Sequence, residues 1–172
     1  MPRNKKNILK KIKCFFRKLM SAKIIPNMVL NGWRIFFYRL CGYKIGKHVF
    51  IGMHCYLDDL EPKMLTIEDN VTISYGVYFA CHGKNQEHMP ITIKRGAYIG
   101  MRTSIISKNS GGGGTHGIII GENVIVGACT LVNKDIPNGA TAIGVPCRIL
   151  ARSRHENLEI LQSCVTSCDY SQ

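Results

Sequence analysis

One histidine of this chain is placed where it could do acid–base chemistry. His82 stands in the segment Ala-Cys-His-Gly-Lys at 80–84. An imidazole titrates near neutral pH, so it can take a proton from a reacting hydroxyl. An acidic cluster of Asp58, Asp59 and Glu61 lies upstream, and a carboxylate such as Asp58 could orient the ring. The alternatives are that His82 caps a loop and that the carboxylates hold a solvated turn.

The other reactive or metal-binding side chains give weaker signals. Cys81 beside His82 has the pattern of a Cys–His nucleophile, but it occupies a slot of the repeat described below, which favours a core thiol. His88 and His116 fall in loops and are expected to be exposed, although either could touch a substrate. The eight cysteines show no C-x-x-C spacing, so we expect reduced thiols and no metal site.

Aliphatic or aromatic residues recur in steps of six along most of the chain. Neither the 3.6-residue helical period nor the two-residue alternation of a strand produces such a step. It predicts a prism of short strands in which the inward side chains of each coil stack on those of the coil below. The twelve positions form four groups of three, which predicts about four coils: Ile45, Ile51, Leu57; Ile67, Ile73, Phe79; Ile93, Ile99, Ile105; and Ile120, Val126, Val132.

This repeat defines a central domain over residues 44–150. Three excursions interrupt it, near 58–66, 81–92 and 107–117. Loops that interrupt so regular a scaffold are the usual place for a functional site. The run at 111–114 is four glycines without the phosphate-loop pattern, so it is either a flap over a site or an inert insertion. Residues 151–172 form a polar tail.

A basic segment over residues 1–43 precedes the repeat. Residues 1–50 contain thirteen Lys or Arg and no Asp or Glu, so the net charge of +12 belongs to this end. Residues 7–20 predict a helix with one apolar and one basic face, which is typical of a segment lying on an anionic membrane surface. We expect residues 1–22 to bind lipid; the alternative is that they pack on the base of the prism.

A second helix is predicted over about 27–41, with Trp33, Phe36 and Leu40 capping the prism. The N-terminus lacks the apolar run and cleavage site of a signal peptide, and no run of 18 apolar residues occurs. We therefore expect a cytoplasmic protein, peripheral at most to the inner face of the membrane, and no nucleic-acid partner.

The end of the repeat resembles a known family. The stretch Ile-Gly-Glu-Asn-Val-Ile-Val-Gly-Ala-Cys-Thr-Leu-Val-Asn-Lys-Asp-Ile-Pro at 120–137 is followed by Gly-Val-Pro-Cys-Arg at 144–148. Together they are similar to the closing coil of the hexapeptide-repeat acyltransferases, in the branch that acetylates sugars, and the resemblance covers residues 44–150. It implies a mainly β fold, a left-handed parallel β-helix, here of about four coils with N-terminal α-helices. The handedness comes from the resemblance alone.

The resemblance also implies the catalytic residues. His82 aligns with the family's catalytic histidine, and Asp58 is the carboxylate expected to orient the ring or to bind the acceptor's hydroxyls. Two residues depart from the family pattern: Tyr98 stands where the sugar acetyltransferases commonly carry Trp, and Lys94 replaces the usual Gly of its hexad. Both departures weaken the inference that this chain has the same acceptor specificity as those sugar acetyltransferases.

The cofactor residues follow in the same way. Lys134 and Arg148 match the positions that meet the phosphates of CoA, a role that suits fixed cations; the alternative is a solvated basic surface. Gly100 and Ala128 match sites where the backbone flanks the pantetheine arm, and small residues let the arm lie close. Tyr98 would lie against the same arm.

The function implied is transfer of an acetyl group from acetyl-CoA to a saccharide hydroxyl, in surface-polysaccharide assembly. A homotrimer with active sites between neighbouring prisms is implied as well. The acceptor could instead be an amino sugar or a small xenobiotic. Two alternatives come from other classes: a non-catalytic scaffold at the membrane, and a γ-carbonic-anhydrase-like metalloenzyme, whose histidine spacing His82, His88 and His116 do not match.

Overall fold

The hexad positions form short strands, because each one places an apolar side chain on the coil below. The computed structural model describes residues 5–82, 88–107 and 117–150. Over these residues the chain is mainly β. The strands in chain order are β1 Lys44–Ile45, β2 Phe50–Ile51, β3 Leu65–Ile67, β4 Thr72–Ile73, β5 Tyr78–Ala80, β6 Ile91–Ile93, β7 Tyr98–Ile99, β8 Ser104–Ile106, β9 Ile118–Ile120, β10 Ile125–Val126, β11 Leu131–Val132, β12 Thr141–Ile143 and β13 Arg148–Leu150.

The strands stack into three sheets that form the faces of a β-helix. The first sheet has the order β1-β3-β6-β9, the second β13-β12-β10-β7-β4-β2, and the third β11-β8-β5. Paired strands are parallel, except that β13 is antiparallel to β12. The inward positions lie in register, since Ile51 is opposite Ile73 and Ile73 is opposite Ile99.

The core is a stack of the predicted inward residues. Eleven of the twelve hexad positions are fully buried, and Ile45 in the first coil is half-buried against the core. The stack continues beyond the four predicted groups: Ile136 pairs with Ile120, and Ala142 lies opposite Val126. A partial further coil therefore closes this end, before β13 turns back.

The corners of the prism require compact or left-handed backbone. His48, Asn70 and Asn123 have φ of 53°, 56° and 52°, a region that Asn tolerates better than most residues. A Cβ at Gly100 would lie 2.5 Å from the backbone nitrogen of Ala128 in the next coil. Glycine at this corner is thus a condition of close coil stacking.

Two helices precede the prism. α1 spans Lys5–Leu19 and α2 spans Asn31–Leu40. A π-helical turn, Met20–Ile24, and a 3₁₀ turn, Ile25–Asn27, connect them. Within the described ranges, no helix is both long and apolar enough to cross a bilayer.

α2 packs on the prism with a different face from the one predicted. The expectation that Trp33, Phe36 and Leu40 cap the prism is wrong, because these side chains are 59%, 61% and 74% exposed. Arg34 and Tyr38, on the opposite side of the helix, are buried instead. At about 100° per residue, the two sets lie on opposite faces.

The physical reason is hydrogen bonding at the open end of the β-helix. The first-coil carbonyls that point away from the second coil have no coil above them to donate N–H groups, and an unpaired buried carbonyl is costly. Side chains of this segment take that place: Arg34 donates from Nε to Ile51 O at 2.9 Å, and Tyr38 donates to Cys55 O at 3.4 Å. The amide of Asn31 donates to Val49 O. The face of α2 that carries the donors Arg34 and Tyr38 therefore packs on the prism, and the face with Trp33, Phe36 and Leu40 points away from it.

Candidate active site

His82 and Asp58 form a hydrogen-bonded pair. The Nδ1 atom of His82 lies 2.5 Å from Oδ2 of Asp58. The imidazole side chain is 32% exposed, whereas the carboxylate is fully buried. The arrangement joins a ring that a substrate can reach to a fixed acceptor beneath it, which is the geometry of an oriented general base.

The register of neighbouring coils brings the pair together across 24 residues of sequence. Tyr56 pairs with Tyr78 as parallel neighbours, and Phe79 N donates to Tyr56 O at 2.9 Å. Asp58 comes two residues after the first of these positions and His82 four residues after the second. Both segments leave the third face of the prism side by side, and the bond from Cys81 N to Asp58 then brings the next residue, His82, to the carboxylate.

Three further groups hold Asp58. Its Oδ2 accepts the backbone N–H of Cys81 at 2.7 Å, and its Oδ1 accepts that of Leu60 at 3.0 Å. The hydroxyl of buried Tyr43 donates to the carbonyls of Leu57 and Asp58, each at 3.0 Å. Sequence reasoning missed Leu60 and Tyr43. The Asp58–Leu60 contact is a turn in which Asp bonds the backbone two residues on, a signal that was readable; Tyr43 gave none.

Cys81 does not have the properties of a nucleophile. Its side chain is fully buried in the core. Burial, with a contribution from the negative charge of Asp58, raises the pKa of the Cys81 thiol to about 12. The protonated thiol is a poor nucleophile, since attack requires the thiolate.

The acidic cluster divides into different roles. Asp58 faces His82, whereas Oδ1 of Asp59 accepts the hydroxyl of Tyr56 at 2.9 Å. Tyr56 stacks on Tyr78, with ring centroids 4.7 Å apart and planes 15° from parallel. Burial raises the pKa of Tyr56. Asp58 is therefore the member of the acidic cluster that contacts the histidine.

The expected CoA residues lie on the later coils. Gly100 and Ala128 are neighbours at one corner of the prism, and Ala128 is exposed. Lys134 and Arg148 are both exposed. Burial raises the pKa of Cys147, and the positive charge of Lys134 lowers it. Lys134 is therefore close to Cys147, which directly precedes Arg148 in the chain.

Tyr98 is exposed on the second sheet, and its hydroxyl accepts a hydrogen bond from Ser74 at 3.2 Å. His88 is also exposed, and its backbone pairs with that of His82 across the base of the second excursion. His116, the glycine run at 111–114 and the tail at 151–172 lie outside the described residues. Within the described ranges, no three His, Cys, Asp or Glu side chains form a group that could hold a metal ion.

Known proteins share this sequence pattern and fold. The galactoside O-acetyltransferase of Escherichia coli K12 is 31% identical over 122 residues, which cover 63% of this chain and 56% of that protein. The acetyltransferase-like protein SAR2635 of Staphylococcus aureus is 30% identical over 140 residues, 77% of this chain and 62% of that protein. A hexapeptide-repeat acetyltransferase of Vibrio cholerae, solved in complex with acetyl-CoA, superposes with a TM-score of 0.61 at 25% identity, over 81% of this chain and 85% of that one. The resemblance to the hexapeptide-repeat acyltransferases is confirmed.

The chain spans 56% and 62% of the lengths of the two curated relatives it matches. No protein-family model matches it. Hexapeptide-repeat acetyltransferases thus share the β-helix that carries His82 and Asp58, while the relatives extend beyond the aligned part.

Proposed function

We propose that this chain is an O-acetyltransferase that moves an acetyl group from acetyl-CoA to a hydroxyl of a saccharide acceptor. The observation that carries the proposal is the contact between His82 Nδ1 and Asp58 Oδ2. A carboxylate only accepts hydrogen bonds, so the proton of the neutral ring lies on Nδ1 and Nε2 keeps its lone pair. Nε2 is therefore the atom that acts as the base.

The proton transfers of the reaction balance with this base and the two substrates. As the acceptor oxygen attacks the thioester carbonyl, Nε2 takes the hydroxyl proton, and Asp58 stabilises the imidazolium that forms. The tetrahedral intermediate then expels the CoA sulfur, which takes the proton back from Nε2. Direct transfer fits the burial of Cys81, because its raised pKa keeps the thiol protonated and an acyl-enzyme requires the thiolate.

The relatives support the choice of substrates. One curated relative acts on galactosides, and one solved structure of similar fold holds acetyl-CoA. The exposed cations Lys134 and Arg148 suit the phosphates of CoA, and the exposed corner at Ala128, beside Gly100, suits its pantetheine arm. Tyr98 would flank that arm, beside Ser74. The wider setting that we propose is surface-polysaccharide assembly by a cytoplasmic trimer.

A CoA-release assay tests the proposal. Free thiol is measured with acetyl-CoA and a panel of nucleotide sugars, free sugars and xenobiotic alcohols. We expect a saccharide to turn over fastest, and His82→Ala to lower kcat by about 10²-fold or more, as for loss of a general base. An amino sugar or a xenobiotic as the best acceptor would keep the mechanism and change the substrate class.

His88→Ala is the matched control, because His88 is an exposed histidine of the same excursion without the contact to Asp58. Its kcat should stay within about threefold of wild type. The same kcat in His82→Ala and wild type, with an acceptor that turns over, would contradict the assignment.

A further inference from the structure

The face of α2 that the prism leaves uncovered carries large apolar side chains. Trp33, Phe36 and Leu40 lie within about 60° of each other around the helix axis, on the side away from Arg34 and Tyr38. They line the outside of the molecule, and Trp33 and Phe36 border a pocket of about 400 Å³ with Gly32. Gly32 has open space where a Cβ would stand.

The same end of the chain carries more side chains of this kind. Among the described side chains, ten of the eighteen large apolar ones that are exposed fall between residues 12 and 40. On α1 they follow one stripe, formed by Ile12, Phe15, Phe16 and Leu19. We call the α1 stripe and the α2 set of Trp33, Phe36 and Leu40 the helical apolar surface. A monomer rarely exposes so much apolar area without a partner for it.

The surrounding charge identifies the partner. Residues 1–50 contain thirteen Lys or Arg and no acidic residue, and Arg34 is the one among them that α2 buries against the prism. A second copy docked through the same surface would bring these cations together, because a symmetric interface places like against like. A nucleic acid would neutralise the cations but leave the aromatic and aliphatic side chains in water. An anionic bilayer satisfies both, with lipid chains for the apolar side chains and headgroups for Lys and Arg.

We infer that the helical apolar surface is a peripheral membrane site, with α2 and not only the first helix inserting its apolar side chains past the anionic headgroups to the boundary with the lipid chains. Trp33 is suited to this position, since its ring is amphipathic and prefers the membrane interface. Arg34 and Tyr38 bind α2 to the first coil from the other side. The prism would thereby stand at a fixed height above the lipid. This inference does not depend on the proposed function.

The sole tryptophan of the chain makes the test specific, because Trp33 is the only indole that fluoresces. Full-length protein is mixed with vesicles of phosphatidylcholine containing roughly one-third phosphatidylglycerol, and with vesicles of phosphatidylcholine alone. We expect sedimentation with the anionic vesicles, a blue shift of the Trp33 emission, and weaker binding in about 0.5 M NaCl. Protein left in the supernatant, or bound protein with unchanged emission, would overturn the inference.

Two variants separate the surface from charge alone. Trp33→Ser with Phe36→Ser should lower the vesicle partition coefficient at least about tenfold, by removing two inserted side chains. Leu150→Ser is the matched control: Leu150 is also exposed, but it lies in β13, at the opposite edge of the second sheet from β2. It should bind like wild type. All these side chains are exposed, so melting temperatures should agree and show that each variant is folded.

Two other results of these measurements would contradict the membrane inference. A Trp33 emission typical of a buried indole before lipid is added would mean that another copy or another segment of the chain covers the surface. A smaller particle mass of the Trp33→Ser, Phe36→Ser variant by light scattering without lipid would assign the surface to an interface between copies. Either result contradicts the membrane inference, and neither bears on acetyl transfer.

Discussion

At the scale of single residues, Asp58 determines which nitrogen of His82 is free. It is fully buried and accepts from His82, Cys81 and Leu60. Asp58→Asn keeps the shape but can present an N–H to Nδ1, which favours the wrong tautomer and removes the charge that stabilises the imidazolium. We expect kcat to fall by about 10²-fold or more, with little change in the KM for acetyl-CoA. Steady-state kinetics measure both.

Asp59→Asn is the control for that substitution, because Asp59 is the adjacent carboxylate and bonds Tyr56 instead of the histidine. Its kcat should stay within about threefold of wild type. Equal losses in the two variants would mean that the acidic cluster supports the fold of the loop and does not orient His82.

Cys81 gives a second residue-scale test, through its pKa. A thiol whose pKa is raised to about 12 stays protonated below that pH, so it reacts slowly with alkylating reagents at neutral and mildly alkaline pH. We expect Cys81→Ala to retain kcat within about fivefold, and iodoacetamide at pH 8 to leave Cys81 unlabelled by mass spectrometry. Cys129, which is exposed, serves as the labelled control. Loss of activity in Cys81→Ala comparable to that in His82→Ala would revive the Cys–His alternative.

At the scale of the elements, α2 stabilises the first coil through hydrogen-bond donors. Arg34 is only 2% exposed and donates to the carbonyls of Ile51, Val29 and Met28. Arg34→Met fills similar space but leaves these carbonyls without a donor. We expect the free energy of unfolding to fall by about 2 kcal/mol, measured by urea denaturation.

The matched substitution is Arg39→Met on the same helix. Arg39 also donates to two first-coil carbonyls, those of Ile45 and Gly46, but in an exposed position where water can replace it. Arg39→Met should lower the free energy of unfolding by less than about 1 kcal/mol. If Arg34→Met is as stable as wild type, the capping role falls to the apolar contacts of α2 with the prism.

The same helix shows where prediction from the sequence stops. The sixfold step predicted the inward residues of the coils, since a stack requires one apolar side chain at every corresponding position. The step also brings the segments that carry Asp58 and His82 side by side, one coil apart. The orientation of α2 was not predictable from apolar periodicity, because Trp33, Phe36 and Leu40 form the more apolar face. The face with Arg34 packs on the prism because carbonyls of the first coil need hydrogen-bond donors. The apolar pattern of the helix does not show where those carbonyls lie.

At the scale of the whole molecule, the residues proposed to hold CoA lie on later coils than Asp58 and His82. Lys134 and Arg148 are exposed and suit phosphates remote from the thioester. Contacts of that kind contribute similarly to the ground and transition states, so Lys134→Ala and Arg148→Ala should each raise the KM for acetyl-CoA with a smaller effect on kcat. Lys47→Ala, which removes an exposed cation of the first coil, is the control. KM values equal to that of wild type in both variants would count against this placement.

An exposed apolar column at one corner of the prism offers a surface for assembly. A column of residues from successive coils, Met53, Tyr75 and Met101, lies at the corner between the second and third sheets. The backbone shows this stacking, because Gly76 N donates to Met53 O and Arg102 N donates to Tyr75 O. Tyr75 and Met101 are exposed, so this corner column offers apolar area along the length of the prism. Gly100 directly precedes Met101 and contacts Ala128, which places the candidate pantetheine site at the same corner.

We propose that three copies meet along the corner column, so that a neighbour completes each cleft beside Gly100. Light scattering at micromolar concentration should then give three times the chain mass of 19.3 kDa. Tyr75→Glu with Met101→Glu should yield monomers, because carboxylates from each copy would be desolvated together. Leu150→Glu, an equally exposed apolar site on β13, should remain trimeric. The monomeric variant should also lose most of its activity while keeping its melting transition, since the fold of one prism does not need the neighbour. A fully active monomer, wild type or variant, would show instead that one prism holds both substrates by itself.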